Sequence, residues 1–250
     1  MRFLRADEVL ETRSVAPVAP DEVHVWPLSL VAEEAVRQRF ATLLDESESQ
    51  RAGRYYHEKD RDGFTLARGQ MRHLLGLYCG VDGRSIRFTV GSAGKPALAP
   101  DVPCAGGLSF NLTHSAGRAL LAVTYGIELG VDLESHDRRT DVLALADRYF
   151  SPEESAQVAQ TAEPLRVAAF FRLWTAKEAV IKAHGEGLGV SLRAFSVAHA
   201  APDGQFVRVR IFESAHLDEG WFVRLLPTEA GWNAALAARS PREVRVIGPA

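Results

Sequence analysis

Two segments of this chain follow the same order of helix, glycine turn and strand. The first spans residues 64–90, "FTLARGQMRHLLGLYCGVDGRSIRFTV", and the second begins at Phe171. With Phe64 aligned on Phe171, Gly80 falls on Gly187. Internal similarity on this scale indicates a duplicated unit, and a chance match is the alternative. We therefore expect an α+β fold built from two similar halves.

A segment rich in Gly, Pro and Ala, "GSAGKPALAPDVPCAGG" (residues 91–107), predicts the boundary between the halves. The predicted N-terminal half is 1–107 and the predicted C-terminal half is 108–250. "LSFNLTHS" (108–115) alternates apolar and polar residues as a strand does. The following stretch, "RALLAVTYGIELGVDLE", predicts a hairpin that turns at Tyr125 and Gly126.

Composition and charge restrict the class of protein. The 250 residues are 46% hydrophobic and 24% charged, as in ordinary globular domains. The net charge of −3 provides no basic excess for nucleic acid. No apolar run approaches the roughly 18 residues of a membrane span, and the first residues lack a signal-peptide pattern. Cys79 and Cys104 show no metal-site spacing, so we expect a reduced cytoplasmic protein, with one disulfide as the alternative.

The segment "LWTAKEAVIKAHGEGL" (173–188) predicts a helix that ends in glycines. One predicted face is apolar and contains Ala169, Leu173, Ala176 and Val180. The opposite face contains Phe171, Trp174, Glu178 and Lys182. An exposed ion pair one helical turn apart would explain Glu178 and Lys182 without any function. The alternative is that both face a polar site.

Two carboxylates alternate on the predicted strand "GVDLE", where Asp132 and Glu134 share one face. A solvated strand face is one explanation. The other is a site for a hard cation such as Mg²⁺, which prefers oxygen ligands and retains waters and phosphates in its shell. Glu178 would supply a third carboxylate.

Other polar residues suit an anionic ligand. Thr113 and His114 in "FNLTHS" stand where a strand becomes a loop, although a single histidine is often a structural group. Lys95 lies in a Gly-Pro loop, and Arg51 and Arg54 lie in a charged stretch; a surface loop and solvated charges are the alternatives. Together with the three carboxylates, these residues suit a substrate that combines a diphosphate with a metal.

In this order and at this spacing, "FNLTHS", "GVDLE" and "LWTAKEAVIKAHGEGL" resemble the 4′-phosphopantetheinyl transferases of the Sfp type. "YYHEKD", "GKPAL" and "RYFSPEE" also resemble family features, so the resemblance runs from about Arg51 to Val197. It implies two α+β halves related by pseudo-twofold symmetry, with the active site at their interface. It also implies transfer of 4′-phosphopantetheine from coenzyme A to a serine of an acyl or peptidyl carrier protein. The reaction releases 3′,5′-ADP and needs Mg²⁺, for which Mn²⁺ often substitutes.

The resemblance also implies residue roles. The metal ligands would be Asp132, Glu134 and Glu178. Glu178 would also be a candidate base for the carrier serine, directly or through water. Lys182 would neutralise the diphosphate, and His114 with Thr113 would contact the phosphates.

The nucleotide end of coenzyme A would bind Lys95, with Arg51 and Arg54 as further candidates. Trp174 and Lys177 resemble packing or support positions. The chain departs from the family at two places: Gly63 replaces an arginine found in many relatives, and Glu48 stands where a phosphate-binding cation is expected.

The expected partners are coenzyme A and an apo carrier protein, with no nucleic acid and no membrane, and we expect a monomer. Because carrier proteins tend to be acidic, we expect a basic or apolar patch, with Arg72 and His73 as candidates. Two alternatives remain: a relative that binds carriers without transferase activity, and a metal-dependent hydrolase of coenzyme A or nucleotides.

Overall fold

The computed structural model describes residues 1–91, 94–136, 140–185, 189–200, 204–213, 217–218 and 220–247. The chain divides into two compact units. Unit N contains Arg2–Thr89, Pro96–Gly126 and the residues from Glu243 onward, and unit C contains Met1, Val90–Lys95 and Ile127–Arg242.

Unit N combines four helices of the described chain with a four-stranded sheet. The helices are α1 (Ala6–Glu11), α2 (Glu34–Ala41), α3 (Glu46–Gly53) and α4 (Glu58–Cys79). The strands are β1 (Glu22–Ser29), β2 (Phe88–Val90), β3 (Pro96–Leu98), β4 (Leu108–Ser115), β5 (Arg118–Tyr125) and β12 (Glu243–Val246). The sheet order is β12-β1-β5-β4; β12 is parallel to β1, and the other neighbours are antiparallel. The pair β2–β3 forms a separate ribbon.

The core of unit N lies between α4 and one face of this sheet. Met71 and Leu74 of α4 belong to the same buried cluster as Leu121 and Val123 of β5. The β5 residues are two positions apart and therefore point to the same face. β5 is apolar and buried on both faces, and the face with Leu121 and Val123 lies against the helix.

A disulfide joins the end of α4 to the loop that precedes β4. Cys79 is bonded to Cys104, with their Cα atoms 5.1 Å apart. The expectation of two reduced cysteines was therefore wrong in this structure. Spacing alone could not reveal the pair, because the fold of unit N brings residues 25 positions apart into contact.

We expect reduction of this disulfide to destabilise the protein. A bond that closes a loop of this length contributes about 3 kcal/mol to the free energy of unfolding, mainly by restricting the unfolded chain. Urea unfolding with and without dithiothreitol measures the difference. The Cys79→Ser/Cys104→Ser variant is the control and should not respond to dithiothreitol. Two titratable thiols in the untreated native protein would contradict the pairing.

Unit C has its own helices and sheet. The helices are α5 (Val142–Tyr149), α6 (Pro152–Gln160) and α7 (Glu163–His184). The strands are β6 (Leu129–Ser135), β7 (Phe195–Ser196), β8 (Val207–Arg208), β9 (Arg210–Ile211), β10 (Phe222–Leu226) and β11 (Trp232–Ala238). The sheet order is β6-β11-β10-β8, all antiparallel, and β7 pairs with β9. None of the described helices of either unit combines the length and hydropathy that crossing a membrane requires.

The two units repeat one pattern. Helices α4 and α7 each have 22 residues and end at a glycine in the left-handed conformation, Gly80 (φ 67°) and Gly185 (φ 85°). In each unit a short 3-10 turn and a short strand follow. The α+β class and the similar halves are therefore confirmed, and the pseudo-twofold relation stays a prediction. Gly187, aligned with Gly80 in the sequence, lies outside the described residues.

The observed units do not follow the predicted division at residues 107 and 108. The expected hairpin around Tyr125 and Gly126 was wrong: β5 pairs with β1 and β4, whereas β6 pairs with β11. Both edges of β5 are occupied, so the chain leaves at Gly126 (φ 73°) and begins a strand of the other unit.

Candidate functional site

Strand β6 and helix α7 approach each other closely at Gly130. A Cβ atom at this position would overlap backbone atoms of Ala179 and Ala183, so only glycine permits the contact. Asp132 and Glu134 lie two and four residues further along β6, on the same face as Gly130. The glycine of "GVDLE" therefore lets both carboxylates lie beside α7.

An ion pair connects the two elements. Lys182 Nζ of α7 donates to Asp132 Oδ1 of β6 at 2.5 Å. The Asp132 side chain is 5% exposed and that of Lys182 is 32% exposed, so the carboxylate is buried and the lysine is partly exposed to solvent. Lys182 is therefore bonded to a residue of another element. An exposed ion pair with Glu178 on the same helix does not explain this bond.

Glu178 lies one helical turn before Lys182 and is partly buried. Burial raises the pKa of Glu178, and the carboxylates of Asp132 and Glu134 raise it further, while Lys182 opposes them. Asp132 and Glu134 therefore lie close enough to Glu178 for their charges to act on it. The fold therefore brings together four side chains that the sequence suggested from two separate motifs.

The donor set fits a hard cation in its chemistry. Three carboxylates and one ammonium leave an excess of negative charge, which a divalent cation would neutralise. Within the described part of the chain, however, no three His, Cys, Asp or Glu side chains converge closely enough to hold a metal as they stand. A cation that binds Asp132 must therefore compete with the Lys182 ammonium.

Lys177 of α7 points into the core and not towards this site. Its ammonium is fully buried and bonds Glu154 Oε2 at 2.8 Å, Leu192 O at 2.7 Å and Phe195 O at 2.6 Å. Glu154 also accepts hydrogen bonds from Ser151 and from the backbone N–H of Val197. Burial lowers the pKa of Lys177 to about 8, although Glu154 acts in the opposite direction. Lys177, which the resemblance suggested as a support position, therefore has Glu154 as its charged partner.

The sequence marks Glu154, the partner of Lys177, only as part of a helix start. Ser151, Pro152 and Glu154 predict the start of a helix, and α6 does begin there with a capping box. Nothing in the local pattern indicates that the capping carboxylate also binds a lysine of the next helix.

The aromatic residues of α7 serve packing. Phe171, expected on the open face, is 3% exposed and stacks on His136 with ring centroids 5.3 Å apart. That expectation was wrong because α7 is covered on most sides and does not have a single apolar face. Trp174 packs against Phe170 and Tyr149, which agrees with a support position.

The residues of the "FNLTHS" motif divide between two faces of β4. Thr113 is buried, whereas His114 is exposed, and adjacent strand residues point in opposite directions. Their placement does not support a joint contact with one phosphate. Either residue alone remains a candidate.

The predicted nucleotide-end cations have different surroundings. Lys95 Nζ donates to Ala183 O at 2.7 Å and to Leu129 O at 3.0 Å, and so holds the end of α7. Burial lowers the pKa of Lys95 to about 8, with Glu128 opposing. Arg51 and Arg54 of unit N are exposed, and Arg51 also lies over the ring of Phe64 at 5.2 Å.

The structure explains one of the two departures from the family pattern. Glu48 is buried and paired with Arg68 and Arg72, each through a 2.5 Å bond from Nε. Arg72 is therefore in the core and cannot contribute to a carrier surface, contrary to expectation. Gly63 lies within α4, where an added Cβ would meet nothing within 4 Å.

Comparison with known proteins shows the family of the chain. Residues 128–237, which include β6 and α7, match the profile of the 4′-phosphopantetheinyl transferase superfamily (ACPS). The chain is 28% identical to 4′-phosphopantetheinyl transferase Sfp of Bacillus subtilis strain 168 over 82% of this chain and 86% of that protein. It is 40% identical to 4′-phosphopantetheinyl transferase HetI of Nostoc sp. strain PCC 7120 over 67% of this chain and 70% of that protein. With this identity over more than two thirds of a relative, the chain belongs to the 4′-phosphopantetheinyl transferase superfamily and is an enzyme of that class.

Proposed function

We propose that this enzyme transfers 4′-phosphopantetheine from coenzyme A to a serine hydroxyl of an acyl or peptidyl carrier protein, with Mg²⁺ as the cofactor. The serine oxygen forms a bond to the phosphorus on the pantetheine side of the diphosphate. The bond from that phosphorus to the bridging oxygen breaks, and 3′,5′-ADP leaves. A monomeric state and a cytoplasmic location stay predictions.

One observation carries the proposal for the site: Lys182 is bonded to Asp132, with Glu178 one turn away on the same helix. Glu134 adds its charge from the same strand. Such a group has the acceptors for a divalent cation and a partly exposed ammonium for a phosphate. Asp132, Glu134 and Glu178 are therefore the proposed metal ligands.

Each of these residues has a distinct task. When bound, Mg²⁺ would neutralise charge on the diphosphate. Lys182 supplies a further positive charge next to the oxygen that leaves. Glu178 is the proposed acceptor of the serine proton, directly or through water.

The remaining contacts to coenzyme A are proposed for groups outside the carboxylate cluster. Arg51 and Arg54 would bind the nucleotide end, and His114 or Thr113 would bind a phosphate oxygen. Lys95 retains one ammonium hydrogen beyond the two used on backbone carbonyls, which is enough for one phosphate contact.

We expect Lys182→Met to bind Mg²⁺ more tightly than the wild type in the absence of coenzyme A. The substitution removes a positive charge that is bonded to a proposed ligand, so the cation no longer competes for Asp132. An affinity increase on the order of tenfold is expected for removal of one adjacent charge. Calorimetric titration with Mg²⁺ and Mn²⁺ measures it.

The matched control is Lys182→Arg, which keeps the charge and should bind the metal as weakly as the wild type. Equal or weaker metal binding by Lys182→Met would exclude Asp132 from the metal site. Transfer activity should fall in Lys182→Met despite tighter metal binding, because the diphosphate loses a counter-charge.

Product analysis separates the transferase from the alternatives. The proposal requires that 3′,5′-ADP form only when an apo carrier protein is present. Release of nucleotide without any carrier would indicate a hydrolase. Carrier binding without release of nucleotide would indicate a relative that has no transferase activity.

A further inference from the structure

The row of polar side chains on β6 continues past the proposed metal ligands. Alternate residues of a strand share one face, so His136, directly after β6, lies on the face of Asp132 and Glu134. The backbone N–H of His136 donates to Gly231 O at 2.9 Å, so the pairing with the chain that leads into β11 includes this residue. His136 therefore stands at the end of the row, next to Glu134, and has no part in the transfer proposed for this enzyme.

Two contacts fix the ring of His136. Its Nε2 donates to Asn233 Oδ1 of β11 at 2.6 Å. The ring also stacks on buried Phe171 of α7, with ring centroids 5.3 Å apart and ring planes 12° apart. Phe171 lies seven residues before Glu178, almost two helical turns, so both side chains leave the same side of α7. The stack thus keeps β6 and the Glu178 side of α7 at a fixed spacing, and the hydrogen bond fixes the direction of the Asn233 amide.

Asn233 is also the cross-strand partner of Glu134. The register of β6 and β11 places the two residues opposite each other. Side chains of directly opposed residues share one face, with Cβ atoms roughly 4.5–5.5 Å apart. Because the amide oxygen of Asn233 is bonded to His136, the N–H hydrogens of the amide are left for the rest of this face. This orientation suits a neighbouring carboxylate, since an amide oxygen turned towards Glu134 would repel it.

We infer that His136 and Asn233 are positioning residues that hold Glu134 in the orientation in which it binds the divalent cation. The inference rests on the proposed function, because it takes Glu134 as a metal ligand. His136 aligns the amide of Asn233, and the amide donates to one carboxylate oxygen of Glu134 and leaves the other for the cation. Partners of this kind orient the ligands of a metal, and their loss costs roughly 10–100-fold in metal affinity.

Binding of Mn²⁺ to the full-length protein tests the inference without coenzyme A or a carrier protein. The EPR signal of free Mn²⁺ measures the Kd. Asn233→Leu keeps the size of the side chain but removes the amide, and it should weaken Mn²⁺ binding on the order of tenfold. His136→Phe keeps a ring on Phe171 but removes the donor, and it should weaken binding by a similar factor. His136→Gln restores a side-chain N–H donor and should recover most of the affinity.

Thr228→Val is the matched control for local damage to β11. Thr228 Oγ1 donates to Trp232 O at 2.8 Å, a bond to the backbone beside Asn233 that does not involve the row of polar side chains. Valine keeps the shape of threonine and loses this bond, so Mn²⁺ affinity should equal that of the wild type. Circular dichroism should match the wild type for every variant.

A second measurement needs no metal. The carbonyl oxygen of Asn233 can only accept a hydrogen bond, so Nε2 of His136 must carry the hydrogen. The ¹⁵N NMR shifts of the His136 ring in the metal-free protein should therefore show a protonated Nε2. In Asn233→Leu this hydrogen should exchange faster with water, because its acceptor is gone. A wild-type ring with its hydrogen on Nδ1 alone would overturn the inference.

Asp132→Asn separates failure of this inference from failure of the proposed function. If Asp132→Asn weakens Mn²⁺ binding while Asn233→Leu and His136→Phe do not, the metal site stands and the positioning role is overturned. If Asp132→Asn binds Mn²⁺ as the wild type does, the metal site is wrong and the inference fails with it. Equal losses in Thr228→Val and Asn233→Leu would also overturn the inference, since general disturbance of β11 would then explain both.

Discussion

Asp132→Asn is expected to lower the rate of phosphopantetheine transfer on the order of 10³-fold, which corresponds to several kcal/mol of lost charge stabilisation in the transition state. The substitution keeps the shape of the side chain but removes a charge that lies beside Lys182 and Glu178. The cation loses a ligand, and Lys182 loses the partner that positions it.

The fold should survive this change. Lys182 is one third exposed, so its ammonium can turn to water when Asp132 becomes neutral. Glu178→Gln should cause a similar loss of transfer, because it removes both a proposed ligand and the proposed base. Circular dichroism should match the wild type for both variants.

The control is Glu153→Gln, which neutralises an exposed carboxylate of α6 that pairs with Arg210 and should leave transfer unchanged. Initial rates are measured at limiting Mg²⁺ with one apo carrier protein. A rate for Asp132→Asn within tenfold of the wild type would remove Asp132 from the site.

Lys177→Met is expected to lower the free energy of unfolding by about 3–5 kcal/mol, the usual cost of leaving one charge of a buried pair without its partner. In the native protein Lys177 uses its three hydrogens on Glu154, Leu192 O and Phe195 O. Methionine fills similar space but leaves the Glu154 carboxylate without a counter-charge and the two carbonyls without this donor, although Glu154 keeps its hydrogen bonds from Ser151 and Val197.

The double variant Lys177→Met/Glu154→Gln separates charge from packing. Removing both charges should recover part of the stability, because no unpaired ion remains in the core. Lys59→Met, an exposed lysine of α4, is the matched control and should change stability by less than about 0.5 kcal/mol. Urea unfolding measures all three. A loss for Lys177→Met no larger than for the control would contradict the buried pair.

The sequence predicted best those side-chain positions that depend only on the periodicity of a single strand or helix. Strand alternation was enough to place Asp132 and Glu134 on one face, and helix spacing placed Glu178 near Lys182. The register between β6 and α7 was needed to show that Lys182 bonds Asp132, and Gly130 sets that register through a contact that no local pattern contains.

The failed expectations depended on long-range pairing. Tyr125 and Gly126 have the composition of a hairpin turn, but both neighbours of β5 come from elsewhere in unit N. The fold also gives Lys95 a structural role that its loop sequence did not indicate, because its ammonium bonds one carbonyl of α7 and one of β6. Cys79 and Cys104 likewise meet only after α4 packs.

Intact-protein mass spectrometry of an apo carrier protein tests most directly whether the enzyme transfers 4′-phosphopantetheine at a metal site that contains Asp132. Carriers from several biosynthetic systems are each incubated with the enzyme, coenzyme A and Mg²⁺, with parallel samples that contain EDTA or the Asp132→Asn variant. We expect at least one carrier to gain the mass of a phosphopantetheinyl group, and we expect both EDTA and Asp132→Asn to prevent the gain. A gain that persists in EDTA, or with Asp132→Asn at the wild-type rate, would contradict the proposed metal site. Cleavage of coenzyme A with no gain on any carrier would contradict the transfer itself.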